Sequence, residues 1–121
     1  MIIVDSSIWI DHFRRPNAAL IEAAVGGRLL QHPLITLELA LGSIPQRDAT
    51  LGKLQRLPQP TVLSDDQMLE FVDEFELAGS GIGPIDASVL ASAARTEKAK
   101  LWTRDKRLGV QAERLGLNFA P

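Results

Sequence analysis

Two short apolar runs near opposite ends of the chain each finish on an aspartate. Met1-Ile2-Ile3-Val4 runs into Asp5, and Leu101-Trp102-Thr103-Arg104 runs into Asp105. Both read as buried strands, so two strands end in acids. The stretches between them alternate strand and helix signals. Strands are expected at 2–4, 29–32, 61–63, 100–103 and 117–119. Helices are expected over 7–14, from Asn17 to the Gly26-Gly27 stop, and over 33–41, 46–57 and 65–78. Two more follow, one beginning after Gly83-Pro84 and one over 105–115. Ser64 and Gln67 have the spacing of a capping box, and Met68, Phe71, Val72 and Phe75 share one face of the helix they open. Strands separated by one or two helices predict an α/β fold with three layers, α/β/α, around a central parallel sheet of four to five strands. With the strand order 3-2-1-4-5, the first and fourth strands are neighbours. Asp5 and Asp105 then converge at the carboxyl ends of the strands, where such sheets bind ligands.

Two further acids sit in apolar settings. Glu38 is the one charged residue in Leu34-Ile35-Thr36-Leu37-Glu38-Leu39-Ala40-Leu41. On a helix it shares a face with Leu34, Ile35 and Leu41 and is expected to point inward. Asp86 stands in the same relation to Val89, Leu90 and Ala93, in the first turn of its helix, where the dipole favours an anion. Acids are seldom buried without partners, and no Lys or Arg falls on either stripe. Two carboxylates about 4 Å apart repel by about 4 kcal/mol at an effective dielectric near 20, so four together call for protons or a cation. Oxygen-only ligands select a hard ion, Mg2+ or Mn2+. Such an ion at a phosphodiester activates water and stabilises the leaving oxygen.

The bulk composition bounds the remaining options. The 121 residues suffice for one domain, 1–121, burying roughly 65% of its unfolded surface. Absence of cysteine excludes a disulfide scaffold, a thiolate zinc site and a cysteine nucleophile. No basic leader precedes Asp5 and no apolar run of about 18 residues occurs, so a cytoplasmic, non-membrane protein is the expectation. A net charge of −2 is not the footprint of a nucleic-acid binder. However, Arg104, Lys106 and Arg107 bracket Asp105, so a basic rim around an acidic centre can contact phosphate.

Three stretches carry a family resemblance: Val4-Asp5-Ser6-Ser7-Ile8-Trp9-Ile10-Asp11, Gly81-Ile82-Gly83-Pro84-Ile85-Asp86-Ala87-Ser88 and Leu101-Trp102-Thr103-Arg104-Asp105-Lys106-Arg107-Leu108. In this order and spacing the chain resembles PIN-domain ribonucleases, specifically VapC-type toxins. The resemblance implies that Asp5, Glu38, Asp86 and Asp105 are the metal-binding catalytic acids, with Ser6 and Thr103 as supporting hydroxyls. It also implies an RNA substrate, a VapB-type antitoxin partner whose C-terminal segment occupies the groove, and a homodimer.

Plainer readings stand beside these. Asp5 and Asp105 taken singly could each be a helix cap, and Asp86 a first-turn charge. Trp9 and Trp102 read as core, and His12 and His32 lack the spacing of a zinc site. Two rival functions remain open: a catalytically idle PIN-like binding module, and a magnesium-binding receiver domain. The receiver lacks its acid pair at the first strand and a phosphoacceptor after the third.

Overall fold

The computed structural model describes residues 1–121. In chain order the elements are β1 (Ile2–Val4), α1 (Ser6–Arg14), α2 (Ala18–Val25), β2 (Leu29–Leu30) and α3 (Pro33–Leu41). They continue with α4 (Arg47–Arg56), α5 (Asp65–Glu74), α6 (Pro84–Arg95), β3 (Lys100–Trp102) and α7 (Lys106–Arg114). The strands form a parallel sheet in the order β2-β1-β3. Ile2, Ile3 and Val4 are all buried although successive strand residues face opposite sides, so helices cover the sheet on both faces. The fold is α/β with a parallel sheet, as the alternation predicts. Val4 pairs with Trp102, which sets the ends of β1 and β3 side by side.

The sheet is narrower than expected. The segment 61–63, which follows Pro58 and Pro60, joins no ladder. Instead the Pro58 carbonyl accepts from the Gln31 N–H beyond β2, and the Thr61 N–H donates to the Thr96 hydroxyl. The segment 117–119 makes a single parallel bridge, Leu101 to Asn118, and no full strand. Its place beside β3 is the one expected.

The helix ends follow local chemistry. Asn17 caps α2 by accepting from the Leu20 N–H, and Ser64 with Gln67 forms the capping box of α5. Helix α5 stops at Glu74, four residues short of the expectation. Glu76 takes a left-handed conformation (φ 53°), and the Leu77 N–H then closes on the Val72 carbonyl, turning Leu77 into the core. His32, fully buried, caps α3 with Nδ1, which accepts from the Leu34 N–H. The core holds Trp9 and Trp102 as expected, with Trp102 against Phe119 at 5.2 Å between ring centroids. Arg95 of α6 joins α5 by an ion pair to Glu74 and lies over the rings of Phe71 and Phe75.

Candidate metal centre

Asp5 ends β1 and is 4% exposed. It stands at the N-cap position of α1, yet its side chain makes no cap hydrogen bond. Both Ser7 Oγ and Thr103 Oγ1 donate to Asp5 Oδ2, at 2.8 and 2.7 Å. One carboxylate oxygen is therefore occupied by hydroxyls from α1 and from the turn after β3, and Asp5 is not an ordinary cap. The Asp105 N–H donates to Thr103 Oγ1 at 3.0 Å, and the Arg104 N–H to Ser7 Oγ at 3.1 Å. This circuit ties the exit of β1 to the turn that carries Asp105.

Asp105 does cap its helix: Oδ1 accepts from the Leu108 N–H at 2.9 Å. It is exposed, and its charge still reaches the cluster. Asp86 is half-buried in the first turn of α6, whose N-cap Gly83 offers no side chain. Burial raises its carboxyl from 3.8 to about 6, with further upward pressure from Asp5, Asp105 and Glu38. The helix dipole favours the anion there, so burial and like charge together win over it. Glu38 is half-buried on α3. Its carboxyl is raised by burial first and by Asp5 second, while the Ser6 hydroxyl draws it partly back. Glu38 Oε1 is buried with no hydrogen-bond partner. Four acids far apart in sequence thus act on one another. The inward stripe read for Glu38 needs one correction: Leu41 is 81% exposed, because α3 ends there and its last turn leaves the core.

The side chains do not, as they stand, bring three or more acidic or histidine groups into a ligand shell. The groups nevertheless fit a hard cation. All donors are oxygens, Glu38 Oε1 is an orphaned buried acceptor, Asp5 has one oxygen free of hydrogen bonds, and burial first, with neighbouring carboxylates second, lifts Asp86 and Glu38.

The resemblance implies Ser6 and Thr103 as supporting hydroxyls without assigning each to an acid. Thr103 donates to Asp5, and the Ser6 hydroxyl acts on Glu38. Ser7, which the resemblance does not name among them, also donates to Asp5. Position in the first turn of a helix was the only signal for it, and Ser6 carries the same one. The basic residues also separate. Arg104 pairs with Asp11 at 2.9 Å. Arg107 donates to the Gly81 carbonyl at 3.4 Å, its side chain packed where a Cβ on Gly81 would stand. Gly81, at φ 87°, is free to make that approach. Lys106 lines a cleft with Val110, Glu113 and Phe119.

Beside Glu38 lies a mostly apolar groove of about 420 Å³, lined by Ile10, Phe13, Arg14, Leu39 and Ile44. Ile10 is 43% exposed on it.

Comparison with known proteins supplies the family. The family model of the PIN domain matches residues 2–113, which include all four acids. The chain is 44% identical over 120 residues to Ribonuclease VapC32 of Mycobacterium tuberculosis, strains CDC 1551 / Oshkosh and ATCC 25618 / H37Rv. The match covers 99% of this chain and 97% of each relative. A chain with this parallel α/β sheet, matched almost end to end, belongs to the PIN-domain family, among its VapC-type members.

Proposed function

We propose that this chain is a metal-dependent endoribonuclease and the toxin of a toxin-antitoxin pair. Its catalytic centre comprises Asp5, Glu38, Asp86 and Asp105 within one PIN-like domain spanning 1–121. The observation that carries this reading is the buried Asp5 carboxylate, held by two hydroxyls from different elements and felt electrostatically by Glu38 and Asp86. Its relatives' name, Ribonuclease VapC32, supports the same substrate class.

In this reading the four acids hold Mg2+ or Mn2+, which supplies an activated water and charge stabilisation at the phosphoryl oxygen. The chain's own residues do the rest. Ser7 and Thr103 hold Asp5 through Oδ2 and leave Oδ1 without a hydrogen bond. The Thr103 hydroxyl accepts from the Asp105 N–H and so sets the turn that carries Asp105. Ser6 orients Glu38. Arg104, Lys106 and Arg107, though turned to different partners, place positive charge on both sides of Asp105, where it offsets the repulsion between RNA and the carboxylates. The groove beside Glu38 suits an apolar peptide segment with an acidic or carbonyl group for Arg14, as the C-terminal segment of a VapB-type antitoxin would require. A homodimer and a cytoplasmic location complete the proposal. No helix is long and apolar enough to cross a membrane.

The test is cleavage of single-stranded RNA by purified protein freed of any partner. Activity with Mg2+ or Mn2+, none with EDTA, and none in Asp5→Asn or Asp86→Asn with unchanged circular dichroism are the expected results. Full activity in both variants would refute the assignment. One observation favours a second reading, a catalytically idle PIN-like platform: the unclosed ligand shell. RNA binding without cleavage under any divalent ion would select it. A receiver-like signalling role has no support from the fold, since no strand forms at 61–63 to carry a phosphoacceptor.

A further inference from the structure

Asp11 takes no part in the roles above. It lies on α1 six residues after Asp5, and the charges that act on Asp86 are those of Asp5, Asp105 and Glu38. Asp11 Oδ2 instead meets Arg104 Nη1 at 2.9 Å. Arg104 is therefore held twice by one helix, at its backbone N–H by Ser7 Oγ and at its guanidinium by Asp11. Ser7 is also the residue that donates to Asp5. Arg104 sits between Thr103, which donates to the same Asp5 oxygen, and Asp105. Its position is thus indexed to the acidic centre.

Stability gives a weak account of this arrangement. The Arg104 side chain is 62% exposed, and exposed ion pairs contribute little because water screens them and two flexible side chains must be ordered. Orientation gives a stronger one. A guanidinium has five N–H donors in a rigid fork, and Asp11 meets it at Nη1 as an ion pair. The side chain is 62% exposed next to Asp105 in sequence, so donors of the fork remain open to a phosphate. Arg107 is differently placed, folded over Gly81.

We propose that Asp11 is a positioning residue that holds the Arg104 guanidinium at the lip of the acidic centre. There Arg104 receives a phosphate of the RNA strand adjacent to the one cleaved. The proposal rests on the ribonuclease reading above and adds to it which cation meets the backbone and what aims it.

The experiment compares wild type, Asp11→Asn, Arg104→Ala, the double variant and Asp11→Glu in steady-state cleavage of a fluorescent single-stranded RNA with Mg2+ over a range of KCl. Arg104→Ala raises KM about tenfold with kcat within about twofold, and it lowers the salt slope by about 0.7. Asp11→Asn keeps the arginine charge, so the salt slope is retained while KM rises about three- to fivefold through lost orientation. The double variant is no worse than Arg104→Ala, and Asp11→Glu recovers part of the loss. A KM for Asp11→Asn equal to or below that of wild type overturns the proposal, since Asp11 would then only repel RNA. Additive effects in the double variant overturn it too. A parallel anisotropy titration of the same RNA, with all substitutions placed in an Asp5→Asn background, separates the two readings. Coupled losses of affinity there, in a protein whose parent does not cleave, sustain the Asp11 role while removing the nuclease. Equal affinities across the set sink the Asp11 role whether or not the parent cleaves.

Discussion

Replacing Asp86 by Asn should stabilise the metal-free protein at neutral pH. In the folded chain its carboxyl is lifted from 3.8 to about 6, by burial first and then by Asp5, Asp105 and Glu38. Between roughly pH 4 and 6 the folded state holds a proton at Asp86 that the unfolded state has lost. Its contribution to stability therefore grows as pH falls through 6 and is complete near 4, while the penalty is in full force at pH 7. A displacement of about two pH units corresponds to about 3 kcal/mol at full strength. Asp86 is only half-buried, and solvent screening reduces this to about 1 kcal/mol. An Asn of nearly the same shape carries no charge to repel. For a domain of this length about 1 kcal/mol is about 3–5 °C in Tm. Thermal melts in EDTA from pH 4.5 to 7.5 should show the variant above wild type at pH 7, with the gap closing toward the acid end. His32 titrates with the opposite sign: burial lowers it to about 4, so its contribution is present above about 6.5 and is lost as pH falls toward 4. The difference between the two curves, not either alone, isolates Asp86. A variant melting at or below wild type at pH 7, or a gap independent of pH, would refute the reasoning.

Other outcomes follow from the same structure. Millimolar Mg2+ or Mn2+ should raise the Tm of wild type, and Asp5→Asn should lose most of that rise, as linkage requires of a site specific to the folded state; differential scanning fluorimetry reads both. Thr103→Val removes the donor to Asp5 and the acceptor of the Asp105 N–H, and Ser7→Ala removes the second donor to Asp5. Each should lower cleavage about 10- to 100-fold, with metal affinity falling in parallel in a titration followed by calorimetry. Arg95→Ala loses the Glu74 ion pair and the packing over Phe71 and Phe75, and should cost about 1–2 kcal/mol in urea unfolding with RNA cleavage rate unchanged. His32→Ala should cost about 2–4 kcal/mol, since it removes both a fully buried ring and the cap of α3, and it should also lower activity because α3 carries Glu38.

The alternation of apolar strands and helices determined the α/β class, and apolar surroundings marked Asp5, Glu38, Asp86 and Asp105, because both signals are local in the chain. The cap of α2 and the capping box of α5 were legible for the same reason. The strand expected at 61–63 does not form, because its Thr61 N–H is taken by the Thr96 hydroxyl and the adjoining Pro58 carbonyl by Gln31, partners far away in the chain. The early end of α5 was hidden because a non-glycine, Glu76, takes the left-handed turn. Which hydroxyl supports which acid depended on the pairing of Val4 with Trp102, which brings Thr103 to Asp5 across 98 residues of chain. The sorting of Arg104 onto Asp11 and Arg107 onto Gly81 likewise required the packed elements. Spacing along a strand or helix dictates which residues share a face, and so the residue types of the proposed centre were set by the sequence alone. Partners in a hydrogen-bond circuit are chosen by distance in space, and only the tertiary structure decided those.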